Sequence, residues 1–154
     1  MHTYETTQWV PARLDETFAF FSDAENLEAI TPPSLHFRIL TQLPITMGEG
    51  VLIDYQLRLY GLPVHWVPRI EEWKPGECFV DRQLSGPYAH WAHRHTFEAE
   101  GGGTRVSDRV DYALPFAPLS APAHALFVRP MIERIFRYRR GVIAHVLGAV
   151  RGRD

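Results

Sequence analysis

The C-terminal tail constrains this chain more than any other stretch. From residue 123 to residue 150, Met131, Ile135, Tyr138, Val142, Val146 and Val150 recur at steps of three or four, with Ile132 and Phe136 beside them. That spacing predicts one long amphipathic helix. Pro130 suits its first turn, where a missing N–H removes no hydrogen bond. An apolar stripe of this length has to be buried against another element.

The upstream chain reads as a series of strands that can supply the partner. Residues 51–60 alternate, with Val51, Ile53, Tyr55, Leu57 and Leu59 on one face and Asp54, Gln56 and Arg58 on the other. Gly61-Leu62-Pro63 reads as a turn before a strand at 64–73, and Lys74-Pro75-Gly76-Glu77 as a turn before one at 78–85. Gly86-Pro87-Tyr88 makes a tight connection to 89–100, and Gly101 to Gly103 a hairpin to 104–114. A short strand is expected at 37–42. At the start, 3–10 has strand composition, 13–22 carries Leu14, Phe18 and Phe21 at helical spacing, and a second short helix at 24–30 ends at Thr31-Pro32-Pro33. The expected fold is α+β of the helix-grip type. A curved antiparallel sheet of six to seven strands wraps a long C-terminal helix, with two short helices after the first strand. Residues 1–154 fit a single domain.

Side-chain direction follows from the period-two alternation. In 104–114 the apolar set Val106, Val110, Tyr112 and Leu114 must face the core, and Asp108 shares its parity. In 89–100, Trp91 and Phe97 point inward and take His93 and His95 with them. The tight turns place His95 opposite Asp108 or two residues off, His93 near Asp81, and Trp91 near Gln83. Asp81, His93, His95 and Asp108 therefore converge on one sheet face, with Tyr55 and Trp66 on the same concave side. Each carboxylate needs a partner there, and the simplest pairs are Asp81–His93 and Asp108–His95.

The chain resembles the START-like, or SRPBCC, superfamily, which includes polyketide cyclases and aromatases, and within it the bacterial ligand-binding branch. The residues that carry the resemblance are Asp81, Gln83, Gly86, Pro87, Tyr88, Trp91, His93, His95 and Phe97, then Thr104, Asp108, Tyr112 and Pro115. Ile30-Thr31-Pro32, Pro44, Met47-Gly48, and Gly61 with Pro63 and Trp66 fit as well. The resemblance implies a cavity between the concave sheet face and the C-terminal helix, and no required metal.

The expected function is binding or carriage of a small hydrophobic or amphipathic molecule. The expected cavity residues are Tyr55, Leu57, Trp66, Asp81, Gln83, Trp91, His93, His95, Asp108, Val110 and Tyr112 from the sheet, and Met131, Ile135 and Tyr138 from the helix. The alternative is a cyclase-, aromatase- or dehydratase-like enzyme that uses His93, His95, Asp108 and Asp81 as general acids and bases. Two histidines at i and i+2 on a strand with a carboxylate can bind zinc, but no metal and no other cofactor is expected. The arginines at 134, 137, 139 and 140 read as a solvated helix face. Residues 115–122 read as a flexible connection able to gate the cavity.

A formal net charge of −2 at neutral pH argues against nucleic acid as a partner. No apolar run approaches the roughly 18 residues that cross a bilayer, so no membrane insertion is expected. Cys78 is the single cysteine, which excludes an internal disulfide. With no leader-like N-terminus, the expectation is a cytoplasmic protein, monomeric or weakly dimeric.

Overall fold

The computed structural model describes residues 1–151, and side chains through residue 148. The chain begins with β1 (His2–Val10), then α1 (Leu14–Phe21) and α2 (Asn26–Ala29). Strands β2 (Arg38–Ile39), β3 (Tyr55–Leu59), β4 (Leu62–Lys74), β5 (Cys78–Ser85), β6 (His90–Glu100) and β7 (Gly103–Ala113) follow. The seven strands form one antiparallel sheet in the order β1-β7-β6-β5-β4-β3-β2. A short helix α3 (Ala121–Ala123) precedes the long helix α4 (Arg129–Arg151), and the sheet curls around α4 to give the helix-grip arrangement.

Turn chemistry sets the strand pairing. Gly101 and Gly102 both take positive φ, the conformation of a two-residue hairpin turn, and β6 pairs with β7 from Glu100↔Gly103 outward. Tyr60 and Gly61 also take positive φ, so the β3–β4 turn falls one residue earlier than expected and Leu62 and Pro63 already belong to β4. The expected strand at 51–60 is shortened to Tyr55–Leu59. Its partner β4 carries Pro68, which has no N–H to donate, and the β4–β5 register shifts on either side of it. Ile53 N–H still donates to Pro68 O at 3.1 Å, and Leu52 bridges Arg69. The expected strand at 37–42 keeps only its two residues in β2.

The approach to α4 is irregular. Helix α3 widens into a π turn (His124–Val128) before α4 begins. On α4 the buried residues are Met131, Ile132, Phe136, Ile143 and Leu147. The stripe is thus rotated by about one residue from the expected row. Tyr138 is more than one-third exposed, and the side chain of Val150 lies outside the described residues.

The apolar interior forms two clusters. In one, Phe18 and Phe21 of α1 meet Phe79, Phe97 and Val106 of the sheet and Ile143 and Leu147 of α4. In the other, Leu57, Trp66, Tyr88, Val110 and Tyr112 meet Ile132 and Phe136. Among the described residues, no helix is long and apolar enough to cross a membrane.

Candidate functional site

An internal cavity of about 140 Å³ lies between the concave sheet and α4. Its apolar wall includes Tyr55, Leu57, Trp66 and Trp91 from the sheet and Met131, Ile132, Ile135 and Phe136 from α4. Its polar wall is Asp81, His93, His95 and Arg139.

The backbone register brings the polar residues together. Asp81 pairs with His93 across β5–β6, and His95 with Asp108 across β6–β7. The side chains cross this register on the diagonal. His93 Nε2–H donates to Asp108 Oδ1 at 2.8 Å, and His95 Nε2–H donates to Asp81 Oδ2 at 3.1 Å. An ionised carboxylate only accepts, so each Nε2 carries the proton in these bonds. The hydrogen bonds thus join Asp108–His93 and Asp81–His95, and the expected pairs Asp81–His93 and Asp108–His95 remain as charge contacts. His93 Nδ1 stands 4.0 Å from Asp81 Oδ2, too far for a hydrogen bond. His95 Nδ1 approaches Asp108 Oδ1 to 3.1 Å but at an angle that makes no hydrogen bond. The two imidazoles lie face to face, with ring centroids 3.8 Å apart. Phe79 stacks on His95 at 4.2 Å, and Phe136 meets His93 edge-on at 5.5 Å. Four polar groups thus sit in one network at the seam between the two apolar clusters.

The network splits the titration of its members. Burial alone would raise Asp81 and Asp108, but the histidine hydrogen bonds and nearby imidazolium charge outweigh it and hold both below the ordinary carboxylate value. Burial and the neighbouring His95 hold His93 below the usual imidazole value, which favours its neutral form. Burial also opposes charge on His95, yet the Asp108 and Asp81 carboxylates beside it raise it above that value.

Asp81, His93 and His95 each offer a ligand atom within 4.8 Å of the others, the donor set that a divalent cation would use. Asp108 stands behind both histidines, off the cavity wall, where a carboxylate orients imidazoles. In the structure Asp81 and His95 are hydrogen-bonded to each other.

Other expected site residues lie elsewhere. Gln83 clasps the turn after β5, donating through Nε2 to Tyr88 O and accepting from Tyr88 N–H, so it shapes the wall without bordering the cavity. Val110 and Tyr112 are fully buried in the second cluster, behind the cavity wall. Tyr112 OH is held by His124 Nε2 at 2.7 Å. Tyr138 falls outside the wall because of the rotated stripe. None of residues 115–122 borders the cavity. Ile30, Thr31, Leu35 and Met47, from the segments after α2, do so instead.

Arg139 was absent from the expected site. Instead of facing solvent, it lies on the row of Ile132, Phe136 and Ile143, with its guanidinium carbon 5.1 Å from the Phe136 ring centroid. The signal in the sequence is its spacing of three from Phe136 and four from Ile143.

A half-barrel of sheet gripping a helix, with a cavity between them walled in part by ionisable groups, defines a START-like, or SRPBCC, protein. Residues 1–142 match the model of the family described as polyketide cyclase / dehydrase and lipid transport, and the chain belongs to that family. Similar solved structures include a protein from Thermus thermophilus, 16% identical with a TM-score of 0.77, covering 97% of this chain and 99% of that one. The Zhui aromatase/cyclase from a Streptomyces species is 18% identical with a TM-score of 0.74, covering 95% and 93%. A START superfamily protein from Mycobacterium smegmatis is 13% identical with a TM-score of 0.67, covering 95% and 99%. These identities carry the fold and nothing finer. No functionally curated protein matches the sequence.

Proposed function

We propose that this protein binds a small hydrophobic or amphipathic molecule in the cavity between sheet and α4. One observation carries the reading: a cavity of about 140 Å³ whose wall is mainly aromatic and aliphatic, with ionisable groups gathered on one side. An apolar cavity of about 150 Å³ stays dry and takes up benzene, so the space suits a body the size of one ring. Toluene titrated calorimetrically should bind one per chain with a negative heat-capacity change. Filling the space with Ile135→Trp should abolish the binding. Absence of saturable binding by the wild-type protein contradicts the reading.

A second reading, acid–base chemistry on the bound molecule, is favoured by two imidazoles, His93 and His95, standing on the cavity wall beside Asp81. It is weakened by the Asp81–His95 and Asp108–His93 bonds, which engage both imidazoles. Its test is deuterium exchange at the methyl group of acetophenone. Acceleration by the wild-type protein that is lost in His95→Gln supports catalysis, and exchange at the solvent rate removes it.

A further inference from the structure

Buried polar atoms in folded proteins almost always have a hydrogen-bond partner, and each exception calls for a cause. Among the described residues the exceptions are Trp66 Nε1, His95 Nδ1 and Arg139 Nε. All three belong to residues that line the same cavity. Two of them, the indole and the guanidinium, can only donate. His95 Nδ1 has the Asp108 carboxylate at 3.1 Å, so the two donors are the atoms left without any acceptor. They outline a partner with accepting oxygen atoms.

Charge narrows the partner. Arg139 is half-buried, its Nε is enclosed, and no carboxylate among the described residues lies in ion-pair contact with it. A buried cation is ordinarily paired. Asp81, Asp108 and the Tyr55 phenol lie near enough to favour its charge, yet burial outweighs them and its pKa stays below the usual guanidinium value. The protein thus leaves the cation short of compensating negative charge. The carboxylates that might supply it are already held by His95 and His93.

We propose that the molecule bound in this cavity is an amphipathic carboxylate, its apolar body one ring in size and its carboxylate held by Arg139 with Trp66 Nε1–H beside it. A carboxylate matches both needs, because it brings the missing charge and its two oxygens accept from a guanidinium fork. This inference rests on the binding reading above and assigns the class of ligand to that site. It makes Arg139 and Trp66 the residues that determine specificity.

The test compares benzoate, benzamide and toluene by isothermal titration calorimetry on the full chain near neutral pH. Benzoate and benzamide have nearly the same shape and differ in charge. Benzoate is expected to bind at least about tenfold more tightly than benzamide, since charge-assisted bonds are roughly twice as strong as neutral ones. Arg139→Met should bring that ratio close to one, and Arg139→Lys should retain part of it. Trp66→Phe, which keeps an aromatic ring and removes the N–H, should weaken benzoate by a smaller factor. If Arg139→Met were to unfold the chain, Arg139→Lys and Trp66→Phe would still report. The melting temperature of ligand-free Arg139→Met is expected to equal or exceed that of the wild type, because a half-buried charge without an ion-pair partner has been removed. A purely structural arginine would lower it. Benzamide binding as tightly as benzoate overturns the carboxylate proposal, while toluene or benzamide binding leaves the cavity reading intact. Failure of all three probes overturns both.

Discussion

The two ends of the interior are built from similar residues and do different things. At the α1 end, Phe18 packs edge-on against Phe79 and Phe97, and Phe21 against Phe97, with centroids 5.2–6.0 Å apart. Such contacts are those of a close-packed core. At the other end Trp66, Tyr88 and Trp91 also cluster, with centroids 4.8–5.5 Å apart. These three rings border the cavity, which also reaches Phe21, Ile30 and Phe79 at the edge of the first cluster but not Phe18 or Phe97. The polar network sits at the junction. Aromatic content therefore does not distinguish core from site. What does is the presence of buried polar atoms without partners, and these occur on the cavity wall.

Cutting into the close-packed rings away from the cavity should have the largest effect. Phe97 is 3% exposed and touches three other phenylalanines. Phe97→Ala should cost about 3–5 kcal/mol in urea unfolding, as large-to-small core changes do. Asp108→Ala comes next, at about 3 kcal/mol near neutral pH, because it leaves two buried imidazoles without their shared carboxylate. Ile135→Ala, at the edge of an existing void, should cost no more than about 1 kcal/mol, well below the usual range for buried residues. An Ile135→Ala cost equal to that of Phe97→Ala would erase the distinction between the two ends.

The pH dependence is smaller and more specific. His95 is raised in the folded state above 6.5, so its contribution is complete below that pH and fades as pH rises through the folded value. His93 is lowered, so its contribution is present above 6.5 and fades as pH falls toward its folded value. Asp81 and Asp108 contribute above 3.8 and lose that contribution as pH falls through their lower folded values. Ring-resonance titration by NMR should therefore find His95 above and His93 below the ordinary imidazole value. The reverse order would show that the hydrogen bonds are assigned to the wrong rings.

Much of this was legible in the sequence because it rests on alternation and turn chemistry. Trp91 and Phe97 fix the parity of His93 and His95, and the Gly101–Gly102 turn fixes His95 opposite Asp108. The diagonal pairing was not legible, since backbone register does not determine which rotamer an imidazole takes. Nor was the phase of α4. Its tail carries two neighbouring apolar rows one residue apart, and either can face the sheet. Taking the row of Ile135 and Tyr138 made Arg139 a surface residue; the row of Ile132, Phe136 and Ile143 makes it part of the cavity wall.

The most direct test of the central claim is a toluene titration of isotope-labelled protein followed by NMR. The account predicts saturable shifts at the Trp66 indole N–H, Tyr55, His93 and Ile132, with Phe18 and Phe97 unmoved. Shifts confined to exposed side chains such as Tyr60 and Phe127, or no saturable shift at all, would contradict it.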